Sequence, residues 1–207
     1  MRVRNLTRQA HLALFDFCND TMSSFYLDAT KDRLYCDRPD SSRRRATQTV
    51  LHQIADTLIC LLAPILPHTA EEAHRALHGE DVDSVHLRTF PEIQAPSLDA
   101  GWEWVLETRD LGRKALEAAK ADGIEKPFDA GLKVADPDGV LAAFEDDLVD
   151  LFGVSRVERV ADGPRVDVVD LREAPRCERS WRRDATVSER ADGGWLSDRD
   201  AEAVGVA

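Results

Sequence analysis

The sequence predicts a mainly α protein, a helical bundle over residues 1–125 followed by a small α+β extension over residues 126–207. Three observations carry this reading. Apolar residues recur at helical spacing from Thr7 to Ala119, in segments separated by turn residues. After Lys126 the spacing shortens to the β type. The 207 residues are 43% hydrophobic, 32% charged and only 6% aromatic, a composition that excludes collagen-like, mucin-like and wholly disordered classes.

The first helix is predicted from Thr7 to Lys31, where Ala10, Leu14, Phe17 and Phe25 follow one stripe with no Gly or Pro to interrupt it. Pro39 and Asp40 stop it within CDRPDSS, and Ser41 or Ser42 is placed to cap the next helix. In that second helix Val50, Leu51, Ile54, Leu58, Leu61 and Leu62 form a stripe wide enough to be buried among other helices, ending at a bend between Pro64 and Pro67. Thr69 and Glu72 fit a capping box opening a short third helix that runs to Gly79. A loop rich in Asp, Pro and Ser follows, and a fourth helix begins at Trp102 and stops at Gly123. Beyond it, Leu132–Ala135, Ser155–Val160 and Val166–Leu171 read as strands, with a helix over Gly139–Leu151 introduced by Asp136-Pro137-Asp138.

A net charge of -12 excludes a uniformly basic nucleic-acid binder. The charge is unevenly spread, and fields act over roughly 8 Å at physiological salt, so local balance matters more than the total. Residues 1–50 hold nine Lys/Arg against six Asp/Glu, whereas residues 91–207 hold sixteen against twenty-seven. A phosphate contact is therefore expected in the N-terminal third. Ser41-Ser42-Arg43-Arg44-Arg45 sets three arginines in the first helical turn, where the macrodipole is positive and a cation is disfavoured by about 0.3–1 kcal/mol. Local stability does not account for them, whereas an incoming phosphate is favoured by the guanidinium groups and the free amides together. Lys31 and Arg33 extend the same face in this reading. The alternative is a solvated charge run offset by Asp37 and Asp40.

His74 and His78 share a helix face at i and i+4, but HExxH chemistry lacks its glutamate there, and no metal is expected. Cys177 and Ser180, then Ser197 and Asp200, repeat a two-residue gap across sixteen intervening residues, the spacing of paired CxxC ligands with one thiolate left. Serine hydroxyls replace thiolates poorly, so no structural zinc is expected, and Trp181 and Trp195 are expected to supply burial instead. Adjacent acids such as Glu71/Glu72 and Asp146/Asp147 read as solvated surface. The chain contains no GxGxxG, P-loop or GxSxG motif and no grouping that reads as an active site. Four widely spaced cysteines, no signal peptide and no apolar run long enough to span a bilayer predict a reduced, cytoplasmic setting without membrane contact.

These pieces, in this order, resemble the C-terminal part of isoleucyl-tRNA synthetases, class I aminoacyl-tRNA ligases. SSFYLDATKDRLYCD (Ser23–Asp37), SRRRATQTVLHQIADTL (Ser42–Leu58), LLAPILPHTAEEAH (Leu61–His74) and the Trp102–Glu117 run are similar to the anticodon-binding helical bundle of that family. The tail, with LFGVSRV, CERSW and LSDRDAEAV, is similar to an extension that ends in two zinc-binding CxxC pairs in many members; Ser180, Ser197 and Asp200 stand here where three cysteines would be. The resemblance implies docking of tRNA(Ile) through its anticodon stem-loop, with Arg43, Arg44 and Arg45 on phosphate and Lys31 and Arg33 beside them. It also implies that ATP, magnesium, the HIGH-like and KMSKS-like motifs and editing belong to a catalytic segment outside these residues. Alone, the chain is expected not to activate isoleucine. It is then a fragment or split subunit of such a ligase, or a free-standing RNA-binding module; a helical adaptor for an acidic protein partner is the reading from another class.

Overall fold

The computed structural model describes residues 2–93 and 97–206, with side chains from residue 8 onward. Residues 94–96 of the loop expected over Gly79–Ala100 lie outside the described residues. The fold is mainly helical with a small α+β part, as the periodicity predicts.

One helical run spans Arg2–Cys36. It comprises α1 (Arg2–Asp16), a π-helical stretch (Phe17–Leu27) and α2 (Asp28–Cys36). The π stretch carries no signal in the apolar spacing. It is flanked by aromatic packing, with Phe25 edge-on to Trp102 at 6.1 Å and the Arg109 guanidinium 4.8 Å over the Phe25 ring. After Ser41, whose hydroxyl accepts from the Arg44 amide, α3 runs from Ser42 to Leu62. α4 (Pro67–His78) starts at Pro67, with no side-chain cap. The capping box expected at Thr69 and Glu72 is therefore absent, because Pro67 begins the helix two residues earlier with its φ already fixed and no amide to satisfy. α5 covers Trp102–Ala119, and a 3-10 turn carries it to Gly123, whose φ of 85° closes the helix.

Strands β1 (Ala130–Ala135), β2 (Arg156–Val160) and β3 (Val166–Asp170) form a sheet ordered β2-β1-β3. β1 and β2 run parallel, with Gly131 opposite Arg156, and β1 and β3 antiparallel, with Leu132 opposite Val168. The crossover between β1 and β2, expected as one helix, is a 3-10 segment (Val140–Asp147) leading into a short α6 (Leu148–Phe152). Asp136 Oδ2 accepts from the Leu141 amide at 3.1 Å and tightens its start. A two-residue ladder, β4 (Ser188–Glu189) with β5 (Trp195–Leu196), and α7 (Asp198–Val204) complete the chain.

Packing divides these elements into two compact units, Met1–Arg38 with Asp99–Ala207, and Pro39–Leu98. The seam differs from a cut between residues 125 and 126, because α5 is part of the sheet's core. Val105 and Leu116 of α5 are buried with Leu132, Val134, Leu141, Leu148 and Val154. Each such side chain contributes roughly 1.5–3 kcal/mol of burial. Gly112 permits the approach, since a Cβ there would stand 3.0 Å from Leu132 Cδ1.

The other unit is a helix hairpin with a small core of Cys60, Ala63, Ala70 and Val85. The α3 stripe is therefore half-buried, and Val50 remains 40% exposed, because within its own unit α3 has only α4 and the Val85–Leu87 turn to pack against. Glu71, expected on the surface, accepts from Ser84 Oγ (2.8 Å), the Val85 amide (3.0 Å) and Arg75 (2.9 Å), anchoring that turn.

Candidate nucleic-acid interface

The arginines expected to act together are divided between the two units. In the helix hairpin, Arg43 and Arg44 are half-buried in the first turn of α3, and Arg45 is exposed. Arg45 lines a shallow groove with Pro39, Gln48, Thr49 and His52. An exposed guanidinium in the first turn of a helix, at the positive end of its dipole, is a suitable contact for an anion.

Arg33 and Lys31 lie in the sheet-containing unit. Arg33 is turned inward, its Nε and Nη2 donating to Asp150 Oδ2 at 3.0 and 2.7 Å and its Nη2 to Asp147 at 2.6 Å. Its side chain is 14% exposed, against 4% for Asp150. Arg33 is a structural cation, and Asp147, whose side chain stays 45% exposed as a surface acid should, is one of its acceptors. Lys31 is exposed and pairs with Asp28 at 2.7 Å.

Lys31 also lines a cleft of about 490 Å³ that the periodicity did not reveal, together with Lys126, Phe128, Arg176, Trp181 and Arg182. The acids around it are engaged by their own cations. Asp32 is taken by Arg199, Asp129 by Arg183 at 2.8 Å, and Asp150 by Arg182 at 2.6 Å and Arg33. Lys126 and Arg176 are exposed, and no carboxylate of the described residues pairs with either. Trp181 is 63% exposed and holds a φ of 64°, a left-handed conformation that a bulky residue adopts only at a cost of order 1–3 kcal/mol. An indole held out to solvent at that expense, with cations beside it, is a surface on which a base can stack while its phosphates are neutralised. The sequence signal is the basic tract around Trp181, with Arg179, Arg182 and Arg183 at its flanks.

The expectation that Trp181 and Trp195 are buried in place of a metal fails. Trp195 is 41% exposed, and the tail's core is Cys177, Val187, Leu196 and Ala201. Cys177, Ser180, Ser197 and Asp200 do converge. Asp200 Oδ2 accepts from Ser180 Oγ at 2.7 Å, Ser197 Oγ at 2.8 Å and Cys177 Sγ at 3.1 Å. Burial pushes the Asp200 carboxyl up, but the Ser180 hydrogen bond, the Arg199 charge and the contacts from Cys177 and Ser197 outweigh it and hold it below the usual carboxylate range.

In the hairpin, Asp56, His74 and His78 bring one donor atom each within 4.8 Å of one another. The Asp56 carboxylate is already held through both oxygens by Arg88, at 2.5 and 2.9 Å, and by His78 Nε2 at 2.7 Å, while His74 Nε2 faces the Asp83 carbonyl at 3.1 Å. These contacts tie α3, α4 and the following loop together. Among the described residues no helix is long and apolar enough to cross a membrane.

Comparison with known proteins adds to this geometry. Residues 7–126 match the family model described as the anticodon-binding domain of tRNA ligase. The chain is 36% identical over 214 residues to an isoleucine–tRNA ligase of Agrobacterium fabrum, covering 93% of this chain and 22% of that protein. It is 39% identical over 202 residues to isoleucine–tRNA ligase 2 of Burkholderia pseudomallei, covering 94% and 20%. Over 109 residues it is 44% identical to an isoleucine–tRNA ligase of Listeria monocytogenes, covering 51% and 12%. The chain spans about a fifth of the length of the first two of these curated relatives.

Proposed function

The chain belongs to the family of tRNA-ligase anticodon-binding domains, and on that premise we propose that it binds the anticodon stem-loop of tRNA(Ile) in the cytoplasm, as the RNA-docking portion of an isoleucine–tRNA ligase. Activation of isoleucine and its transfer to tRNA fall in this reading to a catalytic segment that brings ATP and magnesium, with this portion supplying grip and orientation. The observation that carries the reading is Trp181, exposed in a strained backbone conformation beside Lys31, Lys126 and Arg176 in a protein whose net charge is -12.

Phosphate contacts hold and orient an RNA without reading it, and unstacked loop bases on aromatic faces supply the rest. Arg45 at the start of α3 suits the first role, with Arg43 and Arg44 in the same turn. Trp181 suits the second. Arg45 is carried by α3, and Trp181 by the closed turn of the tail. A base stacked on one aromatic side chain contributes about 1–3 kcal/mol, and each phosphate contact makes affinity fall with salt.

The test is a filter-binding titration of the whole chain with tRNA(Ile), a tRNA of unrelated anticodon loop, and the isolated tRNA(Ile) anticodon stem-loop, each at several salt concentrations. The expected result is binding of tRNA(Ile) and of its stem-loop with a linear loss of log affinity against log salt, weaker for the unrelated tRNA. Salt-independent binding, or equal affinity for all three RNAs, overturns the reading.

A further inference from the structure

We propose that the C-terminal tail folds without a metal ion, around the buried carboxylate of Asp200, which takes the central place that zinc holds in the paired CxxC knuckle the tail resembles. The inference stands apart from RNA binding and concerns what organises residues 177–204.

Asp200 is fully buried, and the three side chains at the other ligand positions all address its Oδ2, Ser180 at 2.7 Å, Ser197 at 2.8 Å and Cys177 at 3.1 Å. A tetrahedral zinc site requires four lone-pair donors around an open centre, about 2.0–2.3 Å from each. Here the fourth ligand position is itself the point of convergence, and the separations are those of hydrogen bonds. The proton count is also reversed. The thiol and both hydroxyls keep their hydrogens and donate them to a single anion, whereas zinc needs thiolate and is served poorly by neutral serine oxygen.

The charges around the node are equally unsuited to a divalent cation. Arg179 Nε lies 3.3 Å from Asp200 Oδ1 and Arg199 Nη2 lies 3.3 Å from Oδ2. Two guanidinium groups facing one carboxylate already offset the cost of burying it, and a zinc ion placed there would meet two cations and one anion. Work that a metal would do is shared among ordinary contacts. The Cys177 amide donates to the Arg182 carbonyl at 2.8 Å, and the Trp181 amide to the Cys177 carbonyl at 3.0 Å, which closes the turn. The Glu178 amide donates to the Trp195 carbonyl at 2.9 Å and joins the two halves. From this node Arg179 reaches the Tyr35 and Cys36 carbonyls, at 3.0 and 3.2 Å, and Arg199 reaches Asp32. The tail is thus fastened to the end of α2 by side chains that Asp200 holds in place.

The experiment uses the purified whole chain. Metal content is measured after dialysis against excess zinc and then against buffer, and melting is followed by tryptophan fluorescence with and without EDTA. Zinc far below one equivalent and a midpoint unmoved by EDTA are expected. One retained equivalent, or a midpoint lowered by EDTA, overturns the proposal. Asp200→Asn, which keeps the shape but removes the charge, should lower the midpoint by several degrees, and an unchanged midpoint would remove Asp200 from the centre. The combined variant Ser180→Cys, Ser197→Cys, Asp200→Cys should gain one equivalent of zinc and an EDTA-sensitive midpoint. If that variant takes up no zinc, the four positions do not form a knuckle-like set and the proposal falls.

Discussion

Arg33 donates from Nε and Nη2 to one oxygen of Asp150, at 3.0 and 2.7 Å, across 117 residues of sequence. The same carboxylate takes Arg182 on its other oxygen at 2.6 Å. Two cations and one acid are thereby fixed between α2, α6 and the tail, with little water around them.

Removing Arg33 takes two hydrogen bonds from the buried Asp150 carboxylate but leaves it Arg182, so the loss should fall below the roughly 3–5 kcal/mol of a buried charge left with no partner. Arg33→Ala should therefore lower the denaturation midpoint markedly, measured by urea titration followed by circular dichroism. The variant's RNA affinity, measured well below its melting temperature, should keep the wild-type salt slope. A stable variant with a reduced slope would return Arg33 to the RNA-contacting set.

Burial pushes the Asp150 carboxyl up, but the charges and hydrogen bonds of Arg182 and Arg33 outweigh it, and the group lies below its ordinary value of 3.8. A carboxylate depressed on folding stabilises the folded state above its unfolded pKa and loses that contribution as pH falls through the folded value. Asp150→Asn should be less stable than wild type at pH 7, and the gap should narrow below about pH 4. Thermal melts of both proteins from pH 7 to pH 2.5 measure it, and a gap constant over that range contradicts the assignment.

At the start of α3, Arg45→Ala should weaken binding of tRNA(Ile) and reduce the slope of log affinity against log salt by about one, as expected for one lost phosphate contact. Its side chain is exposed. The melting temperature should stay unchanged or rise slightly, because a cation leaves the positive end of a helix. Loss of stability with an unaltered slope would make Arg45 structural.

Two substitutions at Trp181 separate stacking from backbone strain. Trp181→Ala should weaken RNA binding by about 1–3 kcal/mol. Trp181→Gly should weaken it as much while raising the melting temperature, because glycine adopts a φ of 64° without penalty. Equal affinity of both variants and wild type would remove the indole from the interface.

Cys36 is buried, and its thiol is pushed up to about 11 by burial and the nearby Asp32 and Asp200 charges. Thiolate is the reactive form, so native Cys36 should resist iodoacetamide at pH 8 and react only after unfolding. Cys18, half-buried, should be modified first. Peptide mass spectrometry over a time course decides the order.

The helices and strands were legible because each carries its own period. Trp102 to Gly123 and the three strands of the sheet sit within two residues of where spacing puts them. The π stretch carries no signal in the spacing, and one partner of its Phe25, Trp102, lies far along the chain. Of the cationic candidates at the start of α3, Arg45 is exposed. Arg33 misled because its acceptors are more than a hundred residues away, and no local pattern announces such a pair. In the sequence Trp181 reads as a residue for burial. Its flanking arginines are the better signal, and the positive φ and the exposure of the indole come only from the structure.

The interruption of the sheet-containing unit by residues 39–98 has a consequence for synthesis. The α3–α4 hairpin has every partner of its own small core once Val85 has emerged from the ribosome. Helix α2 waits much longer, since Arg33 is translated 117 residues ahead of the acid that neutralises it. Contacts of such long separation form late and slowly, which leaves the first helical run as nascent chain most exposed to chaperones and proteases before the tail arrives.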